Sequence, residues 1–191
     1  NVAKCVLITT SDTYSKFIDI KDANVSSIFG DAAASCILEK SKQKKNIGIF
    51  DLGSDGEGFN DLIVRNRALK KEQKFNNRLS MNGPAMFSFA IKEVPKTILN
   101  TLKKNKLKKE DIDWIIPHQA NKRIMDMSAV KLGIPKSKVI LTVDQHANTS
   151  TASIPLSLDY ALSKKIIKRG QIIVFEAIGG GLTWGCSILK Y

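Results

Sequence analysis

Cysteine is scarce in this sequence. Cys5, Cys36 and Cys186 stand far apart inside apolar segments, with no CxxC spacing, which excludes a disulfide framework and a cysteine zinc site and leaves buried structural thiols as the expectation. Histidine is scarcer still: His118 and His146 are the only two. They are not at helical ligand spacing and no carboxylate pair lies in register with them, so a metal site is not expected. No apolar run approaches the roughly 18 residues of a membrane helix. The opening NVAKCVLITTSD reads as a strand and not as a charged-then-apolar leader, so the expectation is a cytoplasmic protein without a membrane role. Aromatic residues make up only 7% of the chain and hardly interleave with the basic ones, which argues against base stacking and nucleic-acid binding.

Basic charge is plentiful. The formal net charge is +12, spread over KSKQKK, LKKEQK, LKKNKLKKE and SKKIIKR. A field of that sign attracts any acidic partner, and composition alone does not choose among nucleic acid, membrane and protein. With 191 residues, 43% of them hydrophobic, the chain can form one generous domain or two half-domains sharing a core.

The order of elements is legible in outline. Residues 4–10 and 32–39 read as two adjacent buried strands, and residues 48–52 as a short third. The turn-rich GSDGEGFND and a basic stretch reaching Ser80 form the best boundary. From Met81 apolar residues recur at three- and four-residue steps through Leu102, the mark of an amphipathic helix, and Pro95 predicts a kink or break in it. Strand 113–117, a helix near 121–132, strand 139–143, a helix near 149–164 and strand 171–176 follow. Gly179, Gly180 and Gly181 then turn the chain into a last strand, 183–189. This alternation predicts an α/β fold with a mixed sheet and helices on both faces.

Within that outline His118 ends an apolar strand just before a helix, where open α/β sheets present functional groups. His146 lies in the polar loop DQHANTSTAS, in which Asn148, Thr149 and Ser150 are each able to cap the next helix. There is no GxSxG elbow for a serine hydrolase. The three glycines join two strands, so they are not a phosphate-binding fingerprint, which opens a helix. They read either as a tight turn or as a backbone donor brought close to a ligand.

Four segments in this order, IFGDAAA, PHQANKRI, DQHANTSTASIP and EAIGGGLTWG, resemble the ketosynthase III group of the thiolase superfamily. The DGEG loop and the NGPAMFSFA helix start fit as well. The resemblance covers the whole chain but only somewhat more than the second half of the family's sequence. It implies a thiolase-like α/β fold: the C-terminal portion of a five-layered αβαβα sandwich with mixed sheets. Residues 1–79 would be the end of the first half plus a connecting loop, and residues 80–191 the second half.

It further implies a decarboxylative Claisen condensation of an acyl-CoA starter with malonyl-acyl carrier protein, in fatty acid or related biosynthesis, without a covalently bound cofactor. The resemblance places the family's histidine at His118 and its asparagine at Asn148. It assigns the backbone N–H of Gly180 to an oxyanion hole, and Arg123, Lys131 and Gly83 to binding of the CoA or acyl-carrier group. None of the cysteines here corresponds to the family's nucleophile, so the chain is expected to be inactive without a Cys-bearing N-terminal half or a second chain supplying it. Acyl carrier protein is the implied partner, and a homodimer the implied intact state.

The residue types suit that chemistry. Decarboxylating a malonyl thioester builds charge on the thioester oxygen, and imidazole N–H and amide NH₂ donate to it without bringing a charge of their own. The helix after His118 is expected to hold the ring neutral. Pro84, Ala147, Ile178 and Leu182 depart from the family pattern, which leaves the acyl substrate and carrier open. An acyltransferase acting on an oxygen or nitrogen nucleophile, and a non-catalytic subunit or binding module, are the alternatives.

Overall fold

A computed structural model describes residues 3–40, 46–64 and 78–191. Much of the basic stretch before Ser80, including LKKEQK, lies outside the described residues.

The first strands are β1 (Cys5–Asp12) and β2 (Ala32–Glu39), with a single helical turn, α1 (Ala23–Ser26), between them. They pair antiparallel from Cys5 opposite Glu39 to Asp12 opposite Ala32. They are adjacent as expected, but not buried. Leu7 is 65% and Ile37 63% exposed, because α5 and residues 150–152 are the main packing partners of this ribbon among the described residues. For the same reason Cys5 is exposed and Cys36 half-buried, and only Cys186 is a buried thiol.

The central sheet has the order β3-β8-β7-β6, with β3 Asp51–Ser54, β6 Trp114–Pro117, β7 Ile172–Gly179 and β8 Thr183–Lys190. β6 and β7 are parallel, while β7–β8 and β8–β3 are antiparallel, so the sheet is mixed. β3 starts later than the sequence predicts because the Asn105 side chain takes up both the N–H and the carbonyl of Ile49. A second ribbon joins β4 (Leu62–Val64) to β5 (Leu79–Met81).

Helix α2 (Gly83–Lys104) starts at Asn82, whose side chain accepts the Ala85 N–H. Pro84 sits in its first turn, where an N–H would have no helical partner anyway. Pro95 does not break the helix, which runs on for 22 residues. The proline forfeits one backbone hydrogen bond, while Val94, Ile98 and Leu102 seat the turns on either side of it in the main core cluster with Ile112, Val174 and Ile188. α3 (Lys122–Leu132) is capped by Asn121 and ends at Gly133, whose φ of 67° is the left-handed conformation that glycine adopts without cost.

The strand predicted over residues 139–143 is only an isolated parallel bridge from Val139 to Ile115. Gln119 ends it: its Oε1 accepts the N–H groups of Thr142 and Val143, turning the chain into a short helix, α4 (Val143–His146). A 3-10 turn over Ser150–Ala152 then leads into α5 (Ser153–Ser163). Among the described residues no helix is long and apolar enough to cross a membrane.

Candidate active site

His118 leaves the carboxyl end of β6 with its backbone N–H donating to the Glu176 carbonyl on β7 at 2.6 Å. The parallel pairing of the two strands thus fixes its main chain. Its ring is fixed by Ser153, the first residue of α5, whose Oγ lies 2.7 Å from Nδ1. The next residue, Gln119, is 1% exposed. Its Nε2 donates to the carbonyls of Pro117 and Ile140, and its Oε1 accepts from the 142–143 backbone. One buried amide therefore locks the turn that carries His118. Sequence reasoning passed over Gln119, although a polar residue beside an apolar strand end was a usable signal.

The imidazole pKa is pulled down to about 4, mainly by burial, with a backbone hydrogen bond at Ser150 opposing the shift. The ring is therefore neutral near pH 7, as the sequence led us to expect, but burial is the cause and not the terminus of α3, which begins only at Lys122.

Asn148 reaches the same place from another direction. Its N–H donates to the Ile28 carbonyl and its own carbonyl accepts from Gly30, each at 2.9 Å, so IFGDAAA and the DQHAN loop are stitched together at an isolated parallel bridge between Phe29 and Asn148. The fit at Gly30 is tight, since a Cβ would stand 3.0 Å from the His146 carbonyl oxygen. Asn148 is 6% exposed. Its Oδ1 accepts the Ser150 N–H at 3.0 Å, which leaves the NH₂ group to donate.

His118 and Asn148 line two adjoining cavities. One, of about 140 Å³, is shared with Gly83, Phe87, Met86 and Ile178. The other, of about 420 Å³, is shared with Gly179, Gly180, Ser153 and Trp184. Gly180 lies against β4: a Cβ there would come within 2.8 Å of the Leu62 carbonyl oxygen, closer than real side chains approach. The DGEG loop holds the turn through reciprocal backbone hydrogen bonds between Asp55 and Leu182.

Arg123 is exposed and lies with its guanidinium 5.1 Å from the centroid of Phe87, a ring that lines the smaller cavity, so it stands beside that cavity. Lys131 is exposed in the last turn of α3 and lines neither cavity. The structure thus brings His118, Asn148, Gly180 and Gly83 together, sets Arg123 beside them and leaves Lys131 apart.

The pattern described as 3-oxoacyl-[acyl-carrier-protein (ACP)] synthase III C terminal matches residues 102–191, and that of 3-oxoacyl-[acyl-carrier-protein (ACP)] synthase III matches residues 1–56. The chain belongs to the 3-oxoacyl-ACP synthase III family. Among solved structures of that family, the β-ketoacyl-ACP synthase III of Thermus thermophilus is 36% identical with a TM-score of 0.93, covering 100% of this chain and 60% of its own. The 3-oxoacyl-ACP synthase III of Pseudomonas aeruginosa PAO1 is 31% identical, with a TM-score of 0.91 and coverage of 100% and 59%. That of Aquifex aeolicus VF5 is 34% identical, with a TM-score of 0.91 and coverage of 98% and 58%. The fold is accordingly thiolase-like. The chain spans about 60% of the length of the Thermus structure.

Proposed function

We propose that this chain is the C-terminal portion of a cytoplasmic 3-oxoacyl-ACP synthase III, in which His118 and Asn148 stabilise the enolate formed when malonyl-acyl carrier protein loses carbon dioxide. The observation that carries the reading is their convergence on one cavity with both donors neutral. His118 is kept uncharged by burial, and Asn148 has its oxygen occupied by Ser150. A carboxylate leaving as CO₂ passes its electron pair to the thioester carbonyl, and the resulting oxyanion needs fixed donors that do not have to reorganise. The enolate carbon then attacks an acyl thioester, forming the new carbon–carbon bond and releasing a thiolate. In this reading Ser153, with its Oγ 2.7 Å from Nδ1, orients the ring toward the oxyanion. A simple transfer to oxygen or nitrogen forms no enolate, which favours condensation over the acyltransferase alternative.

The thiol comes from an N-terminal half, on the same polypeptide or a second one, and Cys5, Cys36 and Cys186 have structural roles. Burial pushes the Cys186 thiol up to about 12, unsuited to nucleophilic attack. Gly180 supplies its backbone N–H to the acyl-transfer oxyanion. Gly83 lets the acyl-carrier arm pass, consistent with the open space that a Cβ would meet there. Arg123 meets its phosphate, with Lys131 extending the basic surface toward the acidic carrier. We divide the chain at residues 1–79 and 80–191, with β3 crossing into the sheet of the second half. The exposed apolar face of β1 and β2, continuous with a groove of about 670 Å³ lined by Ile8, Ile37, Phe50, Leu158 and Phe175, is of the kind that a partner covers. We assign that cover to the N-terminal half, and the intact enzyme is a homodimer.

The test is to supply the chain with a Cys-bearing N-terminal half and follow acyl-CoA and malonyl-acyl carrier protein. Carbon dioxide and 3-oxoacyl-carrier formed in equal amounts support the reading; acyl transfer without carbon dioxide release contradicts it.

A further inference from the structure

Next to His118 is a small, partly open pocket that adjoins the smaller Asn148 cavity, with which it shares His118, Ala120, Ile124 and Ile178. It measures about 20 Å³ and is walled by Val94, Ile98, Leu132 and Ile178 together with His118, Glu176 and Ser128. Along β7, Ile172, Val174 and Ile178 face the main core cluster, and Glu176 falls in the same alternating row. A carboxyl thus stands where the pattern calls for an aliphatic residue. Glu176 is 2% exposed and Ser128 of α3 is 4% exposed. Glu176 Oε1 and Ser128 Oγ are both buried and both lack a hydrogen-bond partner.

Leaving two buried polar atoms unsatisfied in one pocket forfeits the hydrogen bonds that each makes to water in the unfolded chain, and native proteins rarely accept that. A cavity holds a water once it exceeds about 10–15 Å³ and offers polar partners. This pocket is large enough for one. We propose that it is a water site, with a single water bridging the Glu176 carboxyl and the Ser128 hydroxyl, and that Glu176 is through it a positioning residue for His118.

The ligand is a neutral molecule the size of water, since one carboxyl and one hydroxyl in a hydrocarbon wall do not supply the six or more oxygens that hard cations take. The bridge ties α3 to β7 beside the bond from the His118 N–H to the Glu176 carbonyl, so it stiffens the strand pair from which the imidazole projects. Burial pushes the Glu176 carboxyl up to about 8, so near neutral pH it donates to the water. It also leaves no negative charge beside His118 to favour imidazolium.

The role assigned to Glu176 rests on His118 acting as proposed above, but the water site does not, so the two are tested separately. In crystal structures of the full polypeptide at a resolution that shows ordered solvent, we expect density within about 2.7–3.2 Å of both Glu176 Oε1 and Ser128 Oγ, absent in Glu176→Leu. An empty pocket, or a direct Glu176–Ser128 contact, overturns the site without any appeal to turnover. For positioning, Glu176→Leu lowers kcat for malonyl-thioester decarboxylation by about tenfold at unchanged KM, and Glu176→Gln, which can still hold the water, restores it. A Gln variant as poor as Leu, or a Leu variant as active as the native protein, overturns the role. If Glu176→Leu does not fold, Ser128→Ala carries both measurements.

Discussion

Ala147 stands immediately before Asn148 with φ 59° and ψ −165°, a region that is essentially confined to glycine. Holding a residue with a Cβ there costs on the order of 2 kcal/mol. Replacing it with glycine removes that strain but returns about 0.8 kcal/mol through the greater freedom of glycine in the unfolded chain. It also gives up about 0.4 kcal/mol, half the value of a buried methyl, since Ala147 is half-buried. Ala147→Gly is therefore expected to stabilise the protein by about 1 kcal/mol, a rise in Tm of roughly 2–4 °C. Scanning calorimetry with a parallel urea titration at constant m-value measures it. An unchanged or lowered midpoint would refute the strain argument.

The pH dependence of stability follows from two groups of opposite sign. His118 has a folded value near 4 against 6.5, so its contribution is full above 6.5 and is lost as pH falls toward 4. Glu176 has a folded value near 8 against 4.5, so its contribution is full below 4.5 and is lost as pH rises toward 8. The slopes oppose between 4.5 and 6.5, leaving 6.5–8 to Glu176, where unfolding free energy falls by up to about 1.4 kcal/mol per pH unit. Denaturation across that range detects the slope, and Glu176→Gln abolishes it; a slope that persists in the variant assigns it elsewhere. Gly180→Val, whose Cβ would meet the Leu62 carbonyl, is expected to abolish acyl transfer in a folded enzyme, read by mass spectrometry of the acylated intermediate. Arg123→Ala is expected to raise KM for the phosphate-bearing substrate about tenfold with kcat unchanged, read from steady-state kinetics at two salt concentrations.

The strands and helices that carry the site were legible because period and punctuation agreed. β2 runs over Ala32–Glu39 as its apolar run predicts, and Asn121 and Gly133 bracket α3 as caps should. The misplaced elements share one cause, which is a side chain that replaces a backbone partner. Asn105 delays β3 and Gln119 ends the pairing after Val139, and no local pattern announces an amide acting on a segment some 20 to 60 residues away. Burial was read from composition, so the exposed β1–β2 ribbon was missed, because an apolar run is the same whether or not its cover is present. His118 and Asn148 were legible as residues, and their shared cavity was not. That depends on the bridge between Phe29 and Asn148, a contact between segments more than a hundred residues apart.

The central claim is that His118 and Asn148 act on the enolate and not on the acyl group. The direct measurement is to follow carbon dioxide release from malonyl-acyl carrier protein and acylation by acyl-CoA in the same preparation of the full enzyme and its His118→Ala and Asn148→Ala variants. The account predicts that each variant slows decarboxylation about a hundred- to a thousandfold while acylation proceeds near the native rate. Equal loss of both steps, or decarboxylation that survives both substitutions, would contradict it.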